Sequence, residues 1–227
     1  SFLQETYKRL NNKKIYDSPI LIANVEHRFI AAQQMQEIGI KPSSIILEPY
    51  GKNTAPAVTI ACLKALELDQ EALILVLPAD HSVQNVDKFN KAIFEGIKYA
   101  NSGKIVTFGV KPNSPETGFG YIEANKELNF DSYEASSIKR FVEKPDKLLA
   151  EKFIKDKKFS WNSGIFLLKA KVGLDEIKKF SPDILEICRE ALNSSIYDLD
   201  FQRLNKDIFE KCENVSFDIS IMEKTDV

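Results

Sequence analysis

Short apolar runs alternate along this chain with stretches whose apolar positions recur every three or four residues, the pattern of strands interleaved with amphipathic helices. Pro19 to Ala23, Ser43 to Leu47, Ala72 to Leu77 and Lys104 to Val110 read as strands. Between them, His27 to Ile38 reads as a helix stopped by Gly39. Thr54 reads as the cap of a helix with Pro56 in its first turn, continuing through Ala65 and Leu66. Asp87 to Ala100 is a further helix ended near Gly103, and Phe2, Leu3, Tyr7 and Leu10 fit one helix face at the start of the chain. The alternation predicts βα repeats around a largely parallel sheet. Because Ala72 to Leu77 is continuously apolar, it is expected to be buried on both faces and central in that sheet.

The pattern changes in the second half. Lys111 to Gly120, with two prolines and two glycines, reads as a loop. Tyr121 to Phe141 alternates enough for two antiparallel or mixed strands, and Asp146 to Asp156 is helical. Lys171 to Lys211 is mostly helical, broken at Pro182 and around Ser194 and Ser195. Val215 to Phe217 is a short strand-like run before a helical Ile219 to Lys224.

Five polar motifs stand at the ends of apolar runs: Glu48 to Ala57 (EPYGKNTAPA), Pro78 to His81 (PADH), Phe141 to Pro145 (FVEKP), Trp161 to Gly164 (WNSG), and Ser216 to Lys224 around Asp218 and Glu223. Polar residues gathered at the carboxyl ends of strands are where open α/β sheets bind ligands. Asp80, directly after an apolar strand, reads either as a turn or cap aspartate or as a Mg²⁺ ligand, since Mg²⁺ takes one or two protein carboxylates and fills its octahedron with water and phosphate. Asp218 reads by itself as a helix cap. Glu48, Gly51, Lys52, Asn53, Thr54, Ala55 and Pro56 combine a carboxylate, a cation and an amide before a helix N-terminus, which suits polar acceptors on a nucleotide but also describes an ordinary capped turn. Glu143 and Lys144 could form a surface ion pair, and Trp161 a core residue. A short Gly-x-Gly such as Gly118 to Gly120 is too common to signal a phosphate cradle.

Together these motifs resemble the mannose-1-phosphate guanylyltransferases, especially the longer bacterial form often fused to a mannose-6-phosphate isomerase domain. The resemblance covers nearly the whole chain and is most specific in Glu48 to Ala57. It implies a Rossmann-like nucleotide-diphospho-sugar transferase fold, a mixed, mostly parallel sheet flanked by helices. It also implies that residues 1–227 form a single nucleotidyltransferase domain making GDP-mannose and pyrophosphate from GTP and mannose-1-phosphate. By the same resemblance, Asp80 and Asp218 share Mg²⁺, and Glu48 to Pro56 with Ala79 face the nucleotide. Gly118, Tyr121, Glu143, Asn162 and Gly164 face the sugar, and Lys144 approaches its phosphate as a catalytic cation. One departure is serious: the family's glycine-rich loop and first strand are not found, and Ser1 to Thr6 looks like family sequence from just beyond them. Alternatives are a nucleotidyltransferase for another sugar-1-phosphate and a non-catalytic nucleotide-sugar-binding homologue.

Composition narrows the classes further. With 31 Lys+Arg against 33 Asp+Glu, there is no global field to mark a nucleic-acid partner. No apolar run nears the roughly 18 residues of a membrane span, so a cytoplasmic protein is expected. The three cysteines, Cys62, Cys188 and Cys212, lack metal-ligand spacing and read as reduced thiols. His27 and His81 are too few for a two-histidine metal site or a triad, although His81 could orient Asp80. Oligomeric state, a homo-oligomer included, stays open.

Overall fold

Ser1 accepts from the Gln4 amide while the Gln4 side chain accepts from the Ser1 terminus, a capping box that starts helix α1 (Phe2–Lys8). The computed structural model describes residues 1–10 and 15–227. The helix buries Thr6 and, at its end, Arg9; of the expected apolar face, Leu3, Tyr7 and Leu10 are half-buried and Phe2 is mostly exposed.

Two sheets follow. In the first, β1 (Ile20–Asn24), β2 (Ser44–Glu48), β9 (Phe201–Arg203) and β8 (Ile196–Asp198) lie in the order β1-β2-β9-β8. The β1–β2 pair is parallel, as the βα alternation predicts, and the unexpected β2–β9 pair is parallel too. Helix α2 (Arg28–Glu37) connects β1 to β2 and ends at Gly39, whose φ of +70° only glycine adopts freely. After β2 comes α3 (Thr54–Leu68). Its cap is Asn53, one residue before the expected Thr54, because the Asn53 side chain accepts from the Thr54 amide at 2.9 Å.

The second sheet is antiparallel throughout. It contains β3 (Leu73–Val76), β4 (Val106–Val110), β5 (Tyr121–Ala124), β6 (Ile138–Val142) and β7 (Phe159–Lys169). Its centre is β7, which pairs with β3, β4 and β5; the expectation that the Ala72–Leu77 run is central is corrected. Among the described residues β3 pairs only with β7, and its residues are half-buried, so one edge is open. An apolar run reports burial but not the number of neighbours. Helices α4 (Val86–Asn101), α5 (Lys147–Phe153), α6 (Ala170–Phe180), α7 (Pro182–Asn193) and α8 (Lys206–Phe209) complete the fold.

The main core lies between α3, α6 and α7 and both sheets, where Ile46, Ile60, Cys62, Phe166, Leu168, Ile177, Ile184, Cys188 and Phe217 are buried. Each such side chain contributes about 1.5–3 kcal/mol through removal of apolar surface from water. Cys62 fits this core so closely that a Cβ on Gly173 of α6 would sit 2.9 Å from its sulfur; burial pushes its thiol pKa up to about 12. All three cysteines are free. Two local expectations are corrected here. The mostly helical tail contains the β8–β9 hairpin, which returns the chain to the first sheet, and Val215 to Phe217 is not a strand. Phe217 is buried edge-on against Phe166, with centroids 5.1 Å apart, and one turn of π-helix over Asp218–Met222 follows.

Candidate functional site

Strand β7 explains how the motifs meet. Phe166 and Leu167 of β7 pair with both β3 and β4, and Trp161 pairs with both β4 and β5, so β3 and β5 share the side of β7 opposite β4. Pairing with β3 begins at Phe166, and pairing with β5 stops at Trp161. Between them the strand runs past a notch bordered by the loop after β3, which holds Pro78 to His81, and the loop before β5, which holds Gly118 to Gly120. The WNSG motif therefore lies in the first half of the longest strand rather than at a strand end, and it lines this notch.

Asn162 is the hub. Its amide N–H donates to the Gly120 carbonyl at 2.8 Å, and its Oδ1 accepts from the Thr107 hydroxyl at 3.3 Å and the Gly164 amide at 3.1 Å. Its Nδ2 donates to Asp218 Oδ1 at 2.6 Å. Gly164 has φ +65°, and a Cβ there would stand 3.7 Å from Pro78, which seats the loop after β3 against the motif. A Cβ on Gly120 would lie 2.6 Å from Glu143 Oε2, so the absence of a side chain at Gly120 is what allows that carboxylate in. Glu143 follows β6 beside Lys144, whose Nζ is 3.7 Å from Glu143 Oε1 and whose own φ is 44°.

The nucleotide-loop motif joins the same network from the first sheet. Thr54 Oγ1 accepts from the Phe217 amide at 2.9 Å, and the Ala55 amide donates to the Val215 carbonyl at 3.1 Å. The segment carrying Asp218 is thereby fastened to the N-terminus of α3, and hydrogen bonds join three of the five motifs, with Glu143 seated against Gly120 and Pro78 against Gly164. Asp80 stands apart from the Asn162 bonds: its carboxylate is 82% exposed and its partner is His81 Nε2 at 3.7 Å.

Several predicted site residues occupy other roles. Ala55 and Pro56 are buried in α3, and the Ala55 amide is already used. Tyr121 is fully buried against Phe153, and its hydroxyl donates to the Glu116 carbonyl at 3.0 Å, so its side chain is core. Lys52 Nζ donates to the Glu210 carbonyl at 2.7 Å and ties the loop to α8. Glu48 is buried, its Oε1 has no hydrogen-bond partner among the described residues, and burial raises its pKa to about 7. Gly51, Asn53, Ala79 and Gly118 are exposed. Thr107 belongs to the site without having been singled out for it, beside Gly120 and Glu223 of the marked segments. Gly120 lay within the glycine-rich run, but nothing local marks Thr107.

The electrostatics favour a cation. Burial raises the pKa of Asp218, the Asn162 hydrogen bond partly opposes this, and the nearby Glu143 and Glu223 raise it further. Glu223 is likewise raised by burial and by Glu143. A half-buried carboxylate pressed by two acids is relieved by a bound cation. No group of three or more His, Cys, Asp or Glu side chains with metal-holding geometry occurs among the described residues. Asp218, a partly buried carboxylate beside two acids, suits an ion that takes few carboxylates and completes its shell with phosphate and water, whereas the exposed Asp80 carboxylate has no contact with Asp218 among the described residues.

Carboxylates, amides and a helix N-terminus thus border one notch of this two-sheet α/β fold. Residues 1–208 match the Nucleotidyl transferase family, and the chain belongs to it. It is 44% identical over 225 residues to a mannose-1-phosphate guanylyltransferase of Klebsiella pneumoniae, covering 99% of this chain and 48% of that protein. It is equally similar to the xanthan biosynthesis protein XanB of Xanthomonas campestris, covering 47% of it. The chain thus spans about half the length of the curated relatives it matches. Among solved structures, a Helicobacter pylori protein named mannose-6-phosphate isomerase superposes with a TM-score of 0.86 at 34% identity, covering 100% of this chain and 85% of that one. No helix of the described residues is long and apolar enough to cross a membrane.

Proposed function

We propose that this chain forms the nucleotidyl-transfer site of a cytoplasmic enzyme making GDP-mannose and pyrophosphate from GTP and mannose-1-phosphate. The observation that supports this is the hydrogen-bonded path from Asn162 through Asp218 to Thr54, which joins the WNSG motif, the Asp218 segment and the Glu48 to Ala57 loop. Similarity to proteins named mannose-1-phosphate guanylyltransferase supports the choice of sugar and base.

In this reading a phosphate oxygen of mannose-1-phosphate attacks the α-phosphorus of GTP. The new P–O bond forms as the bond between the α- and β-phosphates breaks, and pyrophosphate leaves. A phosphate monoester with a second pKa near 6 is already mostly dianionic at neutral pH, so no general base is needed. The work of the protein is alignment and charge neutralisation. Glu143, Asn162 and the backbone at Gly118 and Gly164 hold the sugar, and Lys144 meets its phosphate. Gly51, Asn53 and Thr54 border the base and ribose. Asp80 and Asp218 would hold Mg²⁺, which when bound neutralises phosphate oxygens.

The Helicobacter pylori protein, by its name, supports a second reading, isomerisation of mannose-6-phosphate. One experiment separates the two. Full-length protein is given GTP, mannose-1-phosphate and Mg²⁺, or mannose-6-phosphate alone, beside Asp218→Asn. Guanylyl transfer predicts pyrophosphate release that falls at least about a hundredfold in the variant, the scale of losing a charge-stabilising group. Isomerisation without pyrophosphate release would overturn the proposal.

A further inference from the structure

Arg9 is a buried cation that the proposed chemistry has not used. It caps the C-terminus of α1 and is 4% exposed. Nε donates to the Glu5 carbonyl at 3.3 Å, and Nη2 donates to the Thr6 hydroxyl at 3.0 Å and to the backbone carbonyl of His81. All three acceptors are neutral. Its Nη1 has no hydrogen-bond partner among the described residues, and the Phe89 ring centroid lies 5.8 Å from the guanidinium carbon. Burying a guanidinium among neutral acceptors with one nitrogen unsatisfied is costly, and an apolar side chain would fill the same space at less cost.

What the arginine gains is a hold on a distant loop. The chain between β3 and α4 has no regular structure, and Asp80 lies in it with its carboxylate 82% exposed. The fixed point is one residue later, where Arg9 grips the His81 carbonyl. The grip is anchored at its base too: Asn90 Nδ2 of α4 donates to the Arg9 carbonyl at 2.7 Å and to the Val86 carbonyl at 2.8 Å. Helix α1, the loop and the start of α4 are therefore locked through one residue.

We propose that Arg9 is a positioning residue that holds the Asp80 loop in place for cation binding; this rests on the reading of Asp80 given above. Two measurements on the full-length protein test it: amide hydrogen exchange across residues 77–85 without metal, and the Mg²⁺ concentration for half-maximal turnover. A hydrogen bond from a charged donor is worth roughly a factor of ten or more. Arg9→Met should speed exchange in residues 77–85 about tenfold and raise the Mg²⁺ requirement about tenfold, leaving the KM for mannose-1-phosphate within about twofold. Arg9→Lys, which keeps a donor, should fall between. If Arg9→Met does not fold, Thr6→Val, which removes only the hydroxyl acceptor, should show the same changes to a smaller degree. Unchanged exchange in 77–85, or exchange raised equally across the domain, would overturn the proposal. Failure of wild-type protein to release pyrophosphate would sink the functional reading instead, and the exchange measurement would still decide the role of Arg9.

Discussion

The notch beside β7 and the loop after β2 serve the same site but are completed to different degrees. In the notch, Asn162 makes four hydrogen bonds and Glu143 is seated against Gly120. In the loop, Asn53 holds φ 66° and ψ −167°, a region occupied almost only by glycine and costing about 1–3 kcal/mol. Beneath it Glu48 has an unpaired buried oxygen. The second sheet holds a preformed pocket around Asn162, whose side chain is fully engaged, although Trp161 Nε1 beside it is buried without a partner among the described residues. The loop, clamped by Lys52 to α8 and by Thr54 to Phe217, keeps strain and unsatisfied polarity where a nucleotide is expected to bind. Strain that survives folding is held by surrounding contacts, and it collects at ligand clamps.

The sharpest way to break the comparison is Gly120→Ala. The added Cβ would meet the Glu143 carboxylate, the mobile end of a side chain, so the fold should survive while the acid moves aside. Loss of a charge-assisted hydrogen bond together with crowding predicts about a hundredfold weaker mannose-1-phosphate binding and little change for GTP. Calorimetry with each ligand measures both. Equal weakening would mean that notch and loop are not separable. Glu143→Gln, which keeps the shape, should weaken mannose-1-phosphate about tenfold with GTP again spared. If Glu143→Gln proved worse than Gly120→Ala, the placement of the acid against that glycine would be wrong.

How much of this was legible in the sequence follows from the range of each signal. Polar motifs interrupting apolar runs marked Pro78 to His81 and Phe141 to Pro145 because each strand, turn and site residue is contiguous there. Asn162 was legible as a site residue, yet its position within the central strand was not. That position depends on pairing with β3, β4 and β5, which come from distant segments. The β8–β9 hairpin escaped for a related reason: each strand has three residues, too few to show a period, and Ile196 and Tyr197 are exposed. Tyr121 and Pro56 were site residues by the resemblance, and the structure buries both side chains, Tyr121 in β5 and Pro56 in the first turn of α3. Arg9 carried no signal, since its partner His81 lies 72 residues away.

The smallest effect on turnover is expected from Glu48→Gln, and it tests the loop side of the comparison through stability. Burial without a hydrogen-bond partner for Oε1 raises the Glu48 pKa from 4.5 to about 7. An acid whose folded pKa is raised holds its proton more tightly when folded, so its favourable contribution is complete below about 4.5 and is lost as pH rises to about 7. The difference amounts to about 3 kcal/mol, at 1.36 kcal/mol for each pKa unit. Glutamine cannot ionise, so Glu48→Gln should be no more stable than wild type at pH 4.5 and clearly more stable at pH 8, with mannose-1-phosphate affinity unchanged. Asp218 and Glu223 are also raised, but they titrate in both proteins and cancel in the difference. Thermal midpoints of the two proteins across this pH range measure it. Parallel curves would show that the Glu48 carboxyl finds a partner in solution, and the loop would then be as complete as the notch.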